Sequence, residues 1–288
     1  MTTNSLGIKK VGVVGCGLMG SGIAETCARA GYEVIVREVN QNLLDKGLAN
    51  IRKSVERAVE RGKLAPDEAE RLLGRIEGVT DMEALAPCDL VIEAAIEKME
   101  VKKEIFAHLD GILAPQAIIA SNTSSLCITE MASVTQRPGQ VLGMHFFNPV
   151  PVMPLLELVR TILTRDEALA TARAFGESLG KTCIVAKDTP GFIVNLLLVP
   201  YLMDAVRALE NGVATREDID AAMKLGCNHP MGPLTLLDFI GLDTCYYIAN
   251  VMFEEFKDPR YAAPPLLRRM ILAGHLGRKS GKGFYDYK

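Results

Sequence analysis

The chain has 288 residues and a formal net charge of −3, and 49% of its residues are hydrophobic against 23% charged. This composition predicts a folded protein with a large core and a length that suits about two domains. The weak acidic charge excludes an extended basic surface for nucleic acid or an anionic membrane. No apolar run has the length of a membrane span, and residues 1–10 lack the apolar core of a signal peptide. We therefore expect a cytoplasmic protein that binds neither nucleic acid nor membranes.

Cysteine and histidine usage argues against disulfides and metal. The seven cysteines include no C-x-x-C pair, and Cys16, Cys183 and Cys245 stand in apolar contexts that predict buried thiols. Free thiols are typical of a reducing cytoplasm. The four histidines show no ligand spacing, so we expect no metal site.

The first two thirds of the chain alternate between β-rich runs and helical patterns. Short apolar runs predict buried strands at residues 11–15, 34–36, 90–93 and 118–121, with further strands at 141–144, 156–159 and 184–186. Helical spacing of apolar residues separates them, as in residues 43–59, 101–112 and 167–179. This alternation predicts an α/β fold, namely a Rossmann-type, doubly wound, mostly parallel sheet.

After Asp188 the pattern changes to helical periodicity alone. Thr189-Pro190-Gly191 is a turn signal, and the later interruptions are single glycines and prolines. We therefore predict a Rossmann-type domain over residues 1–188 and an all-helical domain over residues 189–288. The glycine-rich end of the chain is expected to return over the surface.

A glycine fingerprint follows the first predicted strand. Its first glycine permits a tight turn, the second lets the backbone approach a pyrophosphate, and the third permits close helix–strand packing. The expected cofactor contacts of this loop are Gly15, Gly17, Leu18, Met19 and Gly20. Glu38 ends the second strand, where a carboxylate binds ribose hydroxyls and favours NAD over NADP. Arg37 leaves NADP open, and a glycine-rich turn without any nucleotide is the alternative.

The segment from His145 to Glu157, HFFNPVPVMPLLE, offers a base beside that cofactor. An imidazole oriented by a carboxylate is suited to take the proton of an alcohol. Glu157 stands between two leucines, so strand alternation can turn it inward. The alternatives are a structural histidine after a strand and a solvated carboxylate.

These motifs resemble the short-chain L-3-hydroxyacyl-CoA dehydrogenases. The resemblance runs through GVVGCGLMGSGIA, IEKMEVKKEIF, SNTSSL, HFFNPVPVM, DTPGFIVN, HPMGPLTLLDFIGLDT and GRKSGKGFYDY, and it covers nearly the whole chain. It implies NAD-dependent, reversible oxidation of a (3S)-3-hydroxyacyl-CoA, of short chain such as 3-hydroxybutyryl-CoA, to the 3-oxoacyl-CoA.

The resemblance implies roles for matching positions. His145 is the general base, Glu157 orients it, and Ser124 and Asn195 bind substrate oxygens near the reacting carbon. Further cofactor contacts are implied at Glu97, Lys102, Asn148 and Lys279. The alternatives are a serine that caps the following segment, for Ser124, and a residue that starts a helix, for Asn195.

The handle for coenzyme A is less defined. Basic residues cover the helix after the second strand and its end, at Lys46, Arg52, Lys53, Arg57, Arg61 and Lys63. They suit phosphates, although interleaved glutamates make an ordinary solvated face an equal alternative. The resemblance implies CoA contacts near Ser54 and Arg61.

Three positions depart from the family pattern. Leu196 stands where arginine is frequent, Pro154 where lysine is frequent, and Lys98 where asparagine is frequent. They put the substrate preference in question. One alternative function is a dehydrogenase of a free sugar acid such as gulonate, because relatives with similar cofactor domains use such substrates. The other is a non-catalytic NAD-binding protein. Residues 1–188 are thus expected to bind NAD, and the apolar helical domain, residues 189–288, is expected to bind substrate and to form a homodimer.

Overall fold

The computed structural model describes residues 7–287, and the chain divides into two compact units. The first unit extends to Thr189, and the second begins at Pro190. The strands of the first unit are β1 (Lys10–Val14), β2 (Glu33–Arg37), β3 (Ile76–Val79), β4 (Leu90–Glu93), β5 (Ile118–Ser121), β6 (Val141–Phe146), β7 (Leu155–Arg160) and β8 (Thr182–Lys187). Its helices are α1 (Leu18–Arg29), α2 (Gln41–Glu60), α3 (Pro66–Leu73), α4 (Met99–Ile112), α5 (Ile128–Ala132) and α6 (Asp166–Ser178).

The strands form one sheet in the order β3-β2-β1-β4-β5-β6-β7-β8. Neighbouring strands run parallel except β6 and β7, which pair antiparallel. The predicted α/β class with a mostly parallel, doubly wound sheet is therefore confirmed. Because β1, β4, β5 and β6 run in the same direction, their carboxyl ends lie at one edge, where α/β sheets bind ligands.

Burial on both faces explains why the central strands were recognised from sequence. Leu90, Val91 and Ile92 of β4 are fully buried, as a strand covered by helices on both sides requires. The edge strand β3 and the helix α3 before it were not predicted. Gly78 interrupts the apolar run of β3, whose residues are half-buried or exposed, so its pattern is weak.

Helix α2 forms where an apolar stripe and a cap coincide. Leu44, Ile51 and Val55 are buried at helical spacing, and the opposite face is polar. The Asn40 side chain accepts a hydrogen bond from the Leu43 amide at 2.9 Å, which satisfies one free donor at the helix start.

The second unit is helical. Its helices are α7 (Val194–Glu210), α8 (Arg216–Gly226), α9 (Pro233–Ile240), α10 (Leu242–Phe256) and α11 (Pro265–Leu272). They enclose a core that includes Leu202, Leu237 and Met252. The end of the chain was predicted to return over the surface, and this prediction is wrong at Phe284. That side chain is buried, and its amide donates to the Asp238 carboxylate at 2.8 Å.

The predicted buried thiols are confirmed. Cys16, Cys183 and Cys245 are buried, and burial raises the pKa of the Cys16 and Cys245 thiols to about 12. Within residues 7–287, no group of three or more His, Cys, Asp or Glu is arranged to hold a metal ion. No single helix in this range is long and apolar enough to cross a membrane; α9 and α10 reach that length and composition only together, and they are bent by 95°.

Candidate active site

A buried histidine–carboxylate pair lies on neighbouring strands. His145 of β6 and Glu157 of β7 are direct partners in the antiparallel ladder, and His145 Nδ1 lies 2.6 Å from Glu157 Oε2. His145 is 4% exposed and Glu157 is fully buried, so water does not screen their interaction. The prediction that His145 follows a strand is wrong, because the ladder continues to the pair of Phe146 and Leu156.

The other imidazole nitrogen faces a serine hydroxyl. Ser124 follows β5, and its Oγ lies 3.2 Å from His145 Nε2. The ring of Phe147 lies against the imidazole, with ring centroids 4.5 Å apart. A neutral imidazole that donates from Nδ1 to the Glu157 carboxylate keeps a lone pair on Nε2. The structure therefore brings His145, Glu157 and Ser124 together.

An acid–lysine cluster lies beside Ser124. Lys102 of α4 is buried, and its ammonium lies 2.6 Å from Glu93 Oε1 and 3.2 Å from Glu97 Oε2. Glu97 in turn accepts hydrogen bonds from the Ser124 amide at 3.2 Å and from the Thr123 hydroxyl. The two predicted cofactor contacts Glu97 and Lys102 are thus neighbours, and both are linked to Ser124.

Sequence reasoning missed Glu93 as a site residue. Its carboxylate is fully buried at the carboxyl end of β4 and accepts from Lys102, from the Ala95 amide at 2.7 Å and from the Ser121 hydroxyl at 2.6 Å. The available signal was an acid that ends a wholly apolar strand, because a carboxylate at that edge needs partners or a ligand.

The glycine fingerprint has the geometry that a dinucleotide requires. Gly15 has φ of +98°, which disfavours other residues, and a Cβ on Gly20 would lie 1.8 Å from the Gly15 carbonyl oxygen. A Cβ on Gly17 would meet nothing within 4 Å, so this turn is open on its outer side. Leu18 begins α1 and is exposed, and Met19 is half-buried.

The start of α1 suits a bound anion. No side chain caps this helix, and no acidic residue stands in its first turn. The free amide donors and the positive end of the helix dipole therefore remain available to a pyrophosphate. The loop and helix together fit a dinucleotide.

The Glu38 carboxylate is fixed beside the glycine fingerprint. Its carboxylate accepts from the Cys16 amide and from the Val39 amide, each at 2.8 Å, and each oxygen keeps a lone pair for a ribose hydroxyl. Arg37 donates from Nε to the Thr80 carbonyl at 3.1 Å, which directs it toward the end of β3. This arrangement favours NAD.

A cavity of about 780 Å³ brings together three more predicted residues. Ser54 and Arg61, predicted for CoA, and Asn148, predicted for the cofactor, all line it. Arg29, the last residue of α1, also lines this cavity, and the sequence did not predict it. Further cations at its wall are Lys53, Arg57 and Lys63. Such a wall suits phosphate groups.

Two predicted residues lie in the second unit. Asn195 is the second residue of α7 and is half-buried. Lys279 lies near the end of the chain, and its ammonium lies 2.7 Å from Asp243 Oδ2. The roles of Asn195 and Lys279 stay predictions.

The departures from the family pattern have local consequences. Lys98 is the N-cap residue of α4 and makes no side-chain cap bond, since lysine has no acceptor. Pro154 is exposed, and its carbonyl accepts from the Thr182 amide at 2.7 Å. Leu196 packs against the core of the second unit. None of the three replaces a residue of the His145–Glu157–Ser124 group.

Comparisons with known proteins cover both units. Residues 10–189 match the family model described as 3-hydroxyacyl-CoA dehydrogenase, NAD binding domain, and residues 191–287 match that described as 3-hydroxyacyl-CoA dehydrogenase, C-terminal domain. The chain is 54% identical to a 3-hydroxybutyryl-CoA dehydrogenase of Mycobacterium tuberculosis, over 97% of this chain and 99% of that protein.

Solved structures give the same result. A crystal structure of M. tuberculosis FadB2 matches with a TM-score of 0.96 and 54% identity, over 98% of this chain and 99% of that one. The structure of (S)-3-hydroxybutyryl-CoA dehydrogenase PaaH1 from Ralstonia eutropha matches with a TM-score of 0.94 and 46% identity, over 98% and 99% of the two chains. The resemblance seen in the motifs is confirmed: the chain belongs to the 3-hydroxyacyl-CoA dehydrogenase family, and it is an NAD-dependent oxidoreductase of that family.

Proposed function

We propose that this enzyme catalyses the reversible oxidation of a (3S)-3-hydroxyacyl-CoA, of short chain such as 3-hydroxybutyryl-CoA, to the 3-oxoacyl-CoA. The observation that carries the proposal is the buried His145–Glu157 pair with Ser124 at the second imidazole nitrogen. The names of the relatives support the substrate class, since the most similar ones described above are 3-hydroxybutyryl-CoA dehydrogenases.

His145 acts as the general base in this proposal. Its Nε2 lone pair takes the proton of the 3-hydroxyl group, and Nδ1–H remains bonded to Glu157. The carboxylate then stabilises the imidazolium, as in a serine-protease triad. NAD, once bound, supplies the acceptor for the hydride that leaves C3. In the reverse direction, the imidazolium returns the proton to the oxygen of the 3-oxo group.

Ser124 and Asn195 orient the substrate in this proposal. The Ser124 hydroxyl lies within hydrogen-bond distance of His145 Nε2, so a substrate oxygen that approaches Nε2 also approaches Ser124. The Asn195 amide is proposed for the other substrate oxygen. Because correct orientation of the substrate lowers the activation barrier considerably, loss of either side chain is expected to lower kcat.

The remaining predicted residues hold the cofactor and the CoA moiety. Gly15, Gly17, Leu18, Met19, Gly20 and Glu38 are proposed for the ADP-ribose half, and Glu97, Lys102, Asn148 and Lys279 for the nicotinamide half. The cavity with Ser54 and Arg61 is proposed for the phosphates of CoA, because cations line its wall.

We also propose a homodimer formed by the helical unit, in the cytoplasm. Large apolar side chains remain exposed on that unit, namely Leu197, Leu225, Phe239, Tyr247 and Leu272. A contiguous patch of such side chains is typical of an interaction surface. Light scattering at micromolar concentration tests the dimer, and a monomer would contradict it.

The test of the function is NADH consumption with acetoacetyl-CoA, 3-oxooctanoyl-CoA and 3-oxohexadecanoyl-CoA, repeated with NADPH. We expect the highest kcat/KM with acetoacetyl-CoA and NADH. Oxidation of gulonate without turnover of any acyl-CoA would favour the sugar-acid alternative. Tight NADH binding without turnover of either substrate would indicate a non-catalytic NAD-binding protein.

A further inference from the structure

The β6–β7 hairpin determines which carboxylate lies opposite the imidazole. His145 is the last residue but one of β6, and Glu157 is the third residue of β7. Because side chains alternate between the two faces of a sheet, a slip of one residue would move Glu157 to the other face. Residues 147–154 connect the two strands and are here termed the hairpin loop. This loop therefore joins the strand that carries His145 to the strand that carries Glu157.

A buried lysine closes this loop. Lys181 precedes β8 and is 8% exposed, and its ammonium donates to the Val150 carbonyl at 2.6 Å and to the Met153 carbonyl at 2.8 Å. Burial lowers the pKa of Lys181, because water hydrates its ammonium poorly at this position. Two short bonds to carbonyl oxygens offset part of that cost.

The hairpin loop is also held from its other sides. The residue after Lys181, Thr182, donates from its amide to the Pro154 carbonyl at 2.7 Å. Helix α1 packs on the loop at Gly22, where an added Cβ would lie only 3.0 Å from the Val150 Cβ. The loop therefore lies between Lys181 and the helix that follows the glycine fingerprint.

We propose that Lys181 is a positioning residue for the dehydrogenase reaction. Its ammonium fixes the hairpin loop and thereby keeps Glu157 opposite His145 and keeps Asn148 in place. The Lys181 ammonium binds two carbonyls of the loop, so its proposed effect on the pair passes through the loop. This inference rests on the proposed function, in which His145 is the base.

The first test compares Lys181→Met with Thr164→Val. Methionine keeps the length of the side chain and removes the ammonium. Thr164 provides the matched control, because its buried hydroxyl donates to the Val141 carbonyl at 2.7 Å at the opposite end of β6. We expect Lys181→Met to lower kcat with acetoacetyl-CoA and NADH by about ten- to hundredfold, since misplacement by about 1 Å has effects of that size. Thr164→Val should keep the wild-type kcat.

A second readout follows the imidazole directly. In protein labelled with ¹⁵N-histidine, the Nδ1 proton of His145 should give a low-field NMR signal because its bond to Glu157 is short. We expect Lys181→Met to shift or broaden this signal and Thr164→Val to preserve it. NADH affinity, measured by fluorescence, should change less than kcat, because the glycine fingerprint is intact.

A third variant tests the proposal if Lys181→Met does not fold. Gly22→Ala presses on Val150 from the α1 side while it retains the ammonium and gains helix propensity. It should lower kcat and alter the His145 signal in the same direction. Lys181→Arg, which keeps a cation, should recover part of the loss.

The proposal is overturned if Lys181→Met keeps the wild-type kcat and His145 signal, or if Thr164→Val loses as much activity as Lys181→Met. If Lys181→Met does not fold, the proposal is overturned by a Gly22→Ala variant that keeps the wild-type kcat and the wild-type His145 signal. If the wild-type enzyme turns over no 3-oxoacyl-CoA, the proposed function fails. The NMR comparison then still decides whether Lys181 holds the pair in register.

Discussion

Replacement of Glu157 by glutamine removes the charge that the proposed mechanism requires and leaves the shape of the side chain. The amide oxygen can still accept the Nδ1–H of His145, so the imidazole stays oriented. What is lost is the attraction between the carboxylate and the imidazolium that forms during turnover. Both side chains are buried and their bond is 2.6 Å long, so solvent compensates little of that loss.

The size of the effect follows from Coulomb's law. Charge centres about 4 Å apart at an effective dielectric constant of about 20 attract by about 4 kcal/mol. The amide dipole recovers part of this energy. Since about 1.4 kcal/mol corresponds to tenfold in rate, a net loss of about 3 to 4 kcal/mol predicts a kcat lower by about 10² to 10³.

The assay is acetoacetyl-CoA reduction with NADH across the pH range. Reduction needs the imidazolium, which Glu157→Gln makes less stable, so the fall of kcat toward high pH should begin at lower pH than in the wild type. Glu77→Gln, at an exposed position of the edge strand β3, is the matched control and should behave as the wild type. A Glu157→Gln enzyme with wild-type kcat and an unmoved pH–rate profile would refute the reasoning.

Three further predictions follow from particular contacts. Lys98→Asn supplies the missing cap of α4 and should raise the free energy of unfolding in urea by about 1 kcal/mol, whereas Lys98→Ala should not. Glu93→Gln leaves the buried Lys102 short of a counter-charge and should lower that free energy by about 3 kcal/mol; a loss below about 1 kcal/mol would show that Glu97 suffices. Glu38→Ser removes the carboxylate that is proposed to bind the ribose hydroxyls. It should weaken NADH binding about ten- to hundredfold and improve NADPH binding, as measured by fluorescence titration. Equal weakening for both cofactors would contradict the assignment of Glu38 to the ribose.

The sequence predicted the fold well where burial is two-sided. The runs that became β4 and β5 were placed at their observed ends, because a strand covered on both faces is apolar throughout. The end of β6 was placed two residues early, since a histidine at its fifth position reads as a loop residue. The edge strand β3 was missed because one glycine and partial exposure remove the alternation that identifies a strand.

Charged residues with structural roles were the hardest to predict. His145 and Glu157 were selected by chemistry, because a base needs an orienting group. Glu93 offered only its position at the end of an apolar strand, and Lys181 reads in isolation as a solvated charge. Their burial arises from contacts between segments far apart in the chain, such as the bond from Lys181 to Val150, and no local pattern encodes those contacts.

The position of the hairpin loop explains why one short segment carries so much of the proposed chemistry. Antiparallel pairing of β6 and β7 puts the base and its carboxylate at partner positions of two strands joined by a short loop. A parallel pair of strands would need a long crossover connection instead. The loop that closes this hairpin also presents Asn148 to the cavity with Ser54 and Arg61. If the loop positions Glu157 as proposed, the conformation of residues 147–154 affects the base and the cavity wall together. A change that loosens the loop should therefore alter kcat and the KM for the acyl-CoA in the same variant, whereas Glu157→Gln should alter kcat alone.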